Sequence, residues 1–450
     1  MQTMPAIAEN LSLMIASGDY TDIIGEGTEY YPSGAAGLLN EEVLVDIAPY
    51  LEEYAPNYNW LRENISDFKK ITVTDEGTMP GFKTLSVNSP GNTEGILFRQ
   101  DWLDDLGMDK PITYDDYEEF ALALLNNGYT NAPIEINYYA ESAMSYGYGT
   151  WTDLSSDILS NVTIADGKIV YAPISDAMKA YLATMHSWWD EGLLGDELVT
   201  TDYTVDVFDE KYAVWDEGGG KAGTDMVSIK DAGSDIEIGV GYMPVLNEGD
   251  SIVNGKGRDI YTNAGNFREC VTTACSDPEL AISWIDYRYS EEGYTFTNFG
   301  ELDVTYVEDE NGNMSYSDLI LNNPEGYSKN TAITVYLWQN APAQIKSQRT
   351  KALQVYADIE REAFETWTAQ VVADENDDIS QYTLTLAESE AIGRFYGDIS
   401  TYVQEFVPKF IIGEMDIETE WDTYVETVEG MGISEAIDAV EAARVRFNHK

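Results

Sequence analysis

The sequence predicts an α/β protein of more than one domain, and three observations carry that expectation. The chain has 450 residues, more than one hydrophobic core ordinarily organises, so two or three domains are expected. Hydrophobic residues make up 44% and aromatic residues 12%, enough for well-packed cores. Helical and strand patterns alternate, with no internal repeat of fixed period and no low-complexity linker. Mixed order without a boundary is what a chain crossing between two α/β lobes gives.

Residues 6–16 carry Ile7, Leu11, Met14 and Ile15 at helical spacing. Ser17-Gly18-Asp19 ends that helix, and Asp22-Ile23-Ile24 reads as a short buried strand. Residues 40–62 read as helical. ITVT at 71–74 and FKTLSV at 82–87 read as a hairpin, with turns at Asp75-Glu76-Gly77 and Pro80-Gly81. A strand from Gly95 to Arg99 precedes a helix at 100–106, with Gly107 as its C-cap. Thr113 is an N-cap for the next helix, whose first turn is crowded with acidic residues. Residues 128–172 are rich in Tyr, Gly and Ser and show no clean period. A helix follows at 175–191 and stops at Gly192; its Trp188 is read as core.

Val205–Trp215 leads into Gly218-Gly219-Gly220, read as a flexible loop, and Ile236–Met243 reads as a strand. The helix at 277–289 places Leu280, Trp284 and Tyr287 on one face. A turn at Asp309-Glu-Asn-Gly-Asn joins two short strands. Residues 386–407 form a helix that Thr385 and Glu388 open with a capping box. Helices at 418–430 and 434–446 complete the chain.

The charge balance narrows function. The chain has 81 acidic residues against 25 basic ones, a formal net charge of -56. It repels phosphate backbones and anionic membranes, which argues against nucleic-acid binding. The charge is read as a solvated acidic surface, with adaptation to salt as the alternative. The two histidines, His186 and His449, argue against a zinc site and against Ser-His-Asp chemistry. Cys270 and Cys275 are compatible with a small loop disulfide or with two reduced thiols. Asp309-x-Asn311-x-Asn313-x-Ser315 echoes the start of a calcium loop, but Met314 and Ile320 stand where the loop needs Gly and Glu. A hairpin turn is the default there, and no metal or cofactor is expected. No apolar run approaches the ~20 residues of a membrane span, and the first residues read as an amphipathic helix, not a signal peptide.

Seven segments in register resemble the family 1 extracellular solute-binding proteins, the carbohydrate-type binding lipoproteins of ABC importers. They are ASGDYTDII at 16–24, LLNEEVLVDIAPYLEEYAP at 38–56, a degraded turn at 75–81, ILFRQDWLDDLGMDKP at 96–111, MHSWWDEGLL at 185–194, the helix from Ser276 to Gly300, and PKFIIGEMDIETEWDTY at 408–424. Residues 96–111 are the closest match. Two departures stand out. Asn298-Phe299-Gly300-Glu301-Leu302 departs from the family's loop at that place. The Ser-Gly-Asp turn starts at Ser17, earlier in the chain than the family's leader, lipid-bearing cysteine, first strand and first helix would allow, so a fragment or an internal start is expected.

The resemblance implies a two-lobed, periplasmic-binding-protein-like α/β fold with a hinge and an interlobe cleft. It implies an N-lobe of 1–98 and 255–318 and a C-lobe of 103–253 and 319–450. It implies a receptor, not an enzyme: a cell-surface monomer that captures a carbohydrate, a neutral oligosaccharide, and hands it to the transmembrane subunits of an ABC permease. Sugar rings need aromatic faces and planar polar groups, and four groups could supply them in such a cleft. The first is Glu26, Glu29, Tyr30 and Tyr31, otherwise an acidic surface loop. The second is Tyr139, Tyr148 and Trp151, otherwise ordinary packing. The third is Trp215 with Asp216, and the fourth is Trp338 with Gln339. Glu94 flanks the implied hinge beside Arg99, which is read as structural and paired with a nearby carboxylate. The competing classes are a glycoside hydrolase with paired carboxylates and a surface glycan-adhesion module. No carboxylate pair stands in a recognisable catalytic context.

Overall fold

The computed structural model describes Ile7 to His449 apart from residues 32–33, 75–76, 88–93, 137–142, 151–157, 200–204, 254–266, 340, 348–353, 356, 373–378 and 380–381. Thirteen short strands are described: β1 Ile23–Gly25, β2 Leu85–Val87, β3 Glu94–Arg99, β4 Val162–Ala165, β5 Lys168–Tyr171, β6 Val214–Gly218, β7 Ile238–Val240, β8 Ile252–Val253, β9 Glu269–Val271, β10 Tyr306–Glu308, β11 Met314–Tyr316, β12 Ile345–Ser347 and β13 Val371–Val372. The helices that matter for the site are α1 Ile7–Ser17, α2 Pro56–Asn64, α3 Tyr114–Asn127, α4 Asp176–Asp190, α5 Gly219–Ala232, α6 Pro278–Asp286, α7 Asp358–Gln370, α8 Tyr396–Ile411, α9 Ile417–Gly430 and α10 Ile433–His449.

Strand pairing groups these elements into six small sheets, a set of three built from chain segments 7–87 and 267–347 and a set of three from segments 94–253 and 357–449. β1 pairs antiparallel with β9, β2 parallel with β12, and β10 with β11. β3 lies between β6 and β7, antiparallel to both, β4 pairs with β5, and β8 runs parallel to β13. The isolated bridges follow the same division, joining Leu44 to Thr272 and Phe82 to Glu269 on one side, and Ile134 to Leu194 and Val214 on the other. No described pairing joins an element of one set to the other. The chain leaves the first set after Val87, returns after Val253 and leaves again after Ser347. β3 thus pairs with β6 and β7, and β12 with β2.

Local chemistry accounts for the helices. Thr113 caps α3 through a reciprocal capping box with Asp116, and Gly128 ends it in the left-handed region at φ 76°. Ser175 caps α4, and Gly192 follows at φ 74°. The expected helix 386–407 is two helices, Leu386–Ile392 and α8, parted at Gly393; Thr385 and Glu388 do form the capping box of the first. Residues 40–62 are likewise divided, because Pro56 cannot continue a helix but can open α2.

Three expectations are corrected. The hairpin at 71–87 is absent: Ile71 ends a helix, and β2 takes its partner from β12. Gly218-Gly219-Gly220 ends β6 and opens α5. A Cβ on Gly219 would stand 2.6 Å from the Phe364 ring, and one on Gly223 2.5 Å from Glu360, so these glycines let α5 approach α7 closely. The unpatterned stretch 128–172 contains the β4–β5 hairpin, turned by Asp166 and Gly167 at φ 51° and 76°. Cys270 and Cys275 are free thiols, which decides between the two readings. Trp188 is buried in the core, donating to Glu118 at 2.9 Å. Among the described residues no helix is long and apolar enough to cross a membrane.

Candidate functional site

The β3–β6–β7 and β1–β9 sheets turn corresponding ends toward the crossings of the chain. β3 starts at Glu94, just after the chain leaves β2, and Glu94 pairs with Gly218, the last residue of β6. In the other set β9 starts at Glu269, just after the return from β8, and Glu269 pairs with Gly25, the last residue of β1. Gly25, followed by a loop, and Gly218, followed by α5, thus lie beside the starts of β9 and β3, at the ends of the two sheets nearest the crossings. This is the place where open α/β sheets bind ligands.

On the β1 side Glu26 and Gly27 turn the backbone with φ 50° and 110°. The Glu26 N–H donates to the Arg268 carbonyl at 2.8 Å, and Arg268 Nη1 lies 3.5 Å from the Glu26 carboxylate. The Thr28 hydroxyl donates to the Phe267 carbonyl at 3.2 Å, and Lys83 Nζ sits 4.7 Å from the Phe267 ring centroid. The loop is therefore rigid and presents an exposed ion pair beside an aromatic ring.

On the β6 side Glu94 is exposed, while Trp215 is buried and packs inside its sheet. Asp216 accepts the Ala143 N–H at 2.5 Å, tying β6 to the short helix Ala143–Tyr148. At the end of that helix the Tyr148 ring lies 4.7 Å from Tyr114 and 6.0 Å from Tyr181, and its hydroxyl meets Thr184 at 2.6 Å. Burial pushes the Tyr148 phenol above its usual range. Burial also raises the Glu217 carboxyl, against the Gly218 N–H and Lys221.

The structure gathers some of the expected site residues and separates others. Glu94 and Asp216 lie on the paired strands β3 and β6, Asp216 is tied to the short helix that ends at Tyr148, and Glu26 follows β1. Tyr30 is exposed on the same loop as Glu26, and Tyr31 is turned to donate to Glu41 at 2.8 Å. Trp338 packs against Trp284, with ring centroids 5.7 Å apart. Gln339 donates to the Asn298 carbonyl and the Tyr316 hydroxyl, holding a smaller core around Phe299. Tyr139 and Trp151 lie outside the described residues, as does the side chain of Glu29. Arg99 is structural, gripping Asp101 with two bonds of 2.8 and 2.5 Å. Arg268, Phe267 and Lys83 stand beside the Glu26 loop, which the sequence did not reveal because only the β1–β9 pairing brings them there.

No family model matches the chain. It is similar to the fructooligosaccharide ABC transporter substrate-binding protein FusA of Streptococcus pneumoniae, with 22% identity over 95% of this chain and 80% of the relative. Its fold matches the human-milk-oligosaccharide-binding (HMO) ABC-transporter-associated solute-binding protein of Bifidobacterium longum infantis, with a TM-score of 0.75 at 17% identity, covering 99% of this chain and 91% of that one. An extracellular solute-binding protein of Bifidobacterium longum subsp. infantis aligns with a TM-score of 0.73 at 16% identity, over 98% of this chain and 90% of that one. The architecture is the two-lobed α/β fold of the solute-binding proteins.

Proposed function

We propose that this chain, a member of the extracellular solute-binding proteins of ABC importers, captures a neutral oligosaccharide between its two lobes and presents it to a membrane permease. One lobe comprises residues 7–87 and 267–347, the other 94–253 and 357–449. What supports the reading is the placement of Glu26 beside Arg268 at the end of β1 and of Glu94 and Asp216 on β3 and β6, in a chain whose fold matches that of two-lobed solute-binding proteins; in this reading the two groups face each other across the mouth between the lobes. Carboxylates and a fixed guanidinium suit sugar hydroxyls, and tyrosine suits the C–H face of a ring. The net charge of -56 works against an anionic cargo. The fructooligosaccharide- and milk-oligosaccharide-binding relatives make the same class of cargo the expectation here. A ligand that touches both lobes favours the closed arrangement by its differential affinity, which is the state a permease can read. The protein acts by capture and release at the cell surface, with no turnover.

A thermal-shift screen against neutral mono- and oligosaccharides tests this, with uronic acids and short peptides as controls. A sugar at 100 times its Kd adds roughly 2.7 kcal/mol, a shift of a few degrees in a protein of this size. A shift from one class of neutral sugar is expected. Shifts from peptides alone, or cleavage of the bound sugar, would overturn the reading.

A further inference from the structure

The outward side of α6 forms a surface that the mouth between the lobes does not use. Leu280, Trp284 and Tyr287 recur at helical spacing and are 66%, 49% and 38% exposed, while Ile282 and Ile285 on the opposite side are buried. Trp338, 38% exposed, stands against Trp284 with ring centroids 5.7 Å apart and planes at 50°. Beneath both lies Arg288, fully buried, its guanidinium carbon 5.0 Å from the Trp284 ring and 5.3 Å from the Trp338 ring. Glu269 anchors that guanidinium. Its Nε and Nη1 have no hydrogen-bond partner among the described residues, so the indole faces are what cover them. Cation–π attraction holds both rings from the inside and leaves their outer faces to water. Past Tyr287 the surface continues into a groove of about 720 Å³, walled by Phe296 and Leu302 and edged by Glu291, Glu292 and Glu301.

We infer that this flank is a second carbohydrate site, which holds a neutral glycan chain on the outside of the lobe. Three features select that occupant. Two indole faces side by side and tilted to one another offer stacking to successive, mutually twisted sugar rings. The carboxylate edge accepts hydroxyl donors and repels anions. A second copy of this chain, carrying the same charge of -56, is repelled in the same way. The indole pair lies beside the β1–β9 sheet at the end of β1, since Arg288 is held by Glu269, which pairs with Gly25, and Asp216 in the other sheet is the control that tells the two sites apart. The inference does not depend on what the mouth captures.

Affinity electrophoresis tests it. The intact protein is run through native gels cast with inulin, dextran or glucomannan. Retardation is expected in at least one of these gels, and Trp284→Ala or Trp338→Ala should weaken it roughly two- to twelve-fold. Trp284→Leu and Trp338→Leu keep apolar bulk over Arg288 and should lose retardation equally. Asp216→Ala, at the mouth, should be retarded like the unmodified chain. Short oligosaccharides in the thermal-shift assay should show the reverse pattern, so failure of one site is distinguishable from failure of the other. Unretarded migration in every neutral polysaccharide would overturn the inference, as would retardation that survives the tryptophan variants. Tryptophan-dependent binding of a Lys/Arg-rich peptide without polysaccharide binding would also overturn it, and would make the flank a protein-docking surface.

Discussion

Replacing Arg288 with methionine should destabilise the first lobe more than any surface change. Arg288 is fully buried, and its partner Glu269 is 4% exposed. Glu269 Oε2 also accepts the Ala343 N–H at 3.3 Å. Methionine fills much of the arginine volume, so the dominant loss is electrostatic: a buried carboxylate keeps its desolvation cost without its counter-ion. Breaking such a pair costs about 3–5 kcal/mol, whereas replacing both partners with groups that carry no charge is far cheaper. If the lobe melts as one unit of ordinary domain size, the single change lowers its Tm by roughly 6–20 °C. The double variant Arg288→Met/Glu269→Gln should recover more than half of that loss. Burial raises the Glu269 carboxyl, and Arg288 opposes it. A carboxyl raised in the folded chain takes up its proton more readily there than when unfolded, so this term favours folding as pH falls and is lost as pH rises through the folded value. Without Arg288 the carboxyl rises further, so the penalty of Arg288→Met should be smaller at mildly acidic than at neutral pH. Differential scanning calorimetry of the unmodified chain and the two variants at both pH values measures this. A loss below about 1 kcal/mol, or a double variant no better than the single one, would refute the reasoning.

Two glycines of α5 should respond with opposite sign. Gly220→Ala meets nothing within 4 Å and should gain about 0.5 kcal/mol from helix propensity. Gly223→Ala must displace Glu360, whose carboxylate caps α7 by accepting the Ala357 N–H, and should cost about 1–3 kcal/mol in urea unfolding. Thr113→Ala removes half of the α3 capping box and should cost about 1 kcal/mol by the same assay. Burial raises the Glu388 carboxyl, but bonds from Arg446 and Thr385 outweigh it and leave it below the usual range. That stabilisation is present above the unfolded pKa and is lost as pH falls through the folded value. The amide protection factors in the last turns of α10, taken relative to intrinsic exchange at each pH, should therefore fall in acid, and Arg446→Met should remove that dependence.

The sequence disclosed elements whose signals are local. Thr113, Gly107 and Gly192 marked helix ends because caps act within one turn. The strand expected at 95–99 is β3, whose apolar run Ile96-Leu97-Phe98 is buried on both faces. What depended on distant partners was not legible. Gly219 and Gly223 read as looseness, yet they are close approaches to Phe364 and Glu360 on a helix far along the chain. The β-branched run at 71–74 suggested a hairpin, but β2 pairs with β12. The Asp166-Gly167 turn was a readable hairpin signal, obscured by its irregular surroundings. For the site, Glu26 could be named because it follows the strand at 22–24, and Asp216 because it precedes the triple glycine. Arg268 could not be, since only the register of β9 against β1 brings it to Glu26. The Leu280–Trp284–Tyr287 stripe looked like an ordinary amphipathic face, and periodicity alone could not say that Ile282 and Ile285 point inward instead.

Capture by closure is the centre of the account, and small-angle X-ray scattering tests it most directly. The radius of gyration is measured with and without a saturating neutral oligosaccharide drawn from the thermal-shift screen. The account predicts a smaller radius for the sugar-bound protein, reversed when the sugar is dialysed away. An unchanged radius with the sugar demonstrably bound would contradict it.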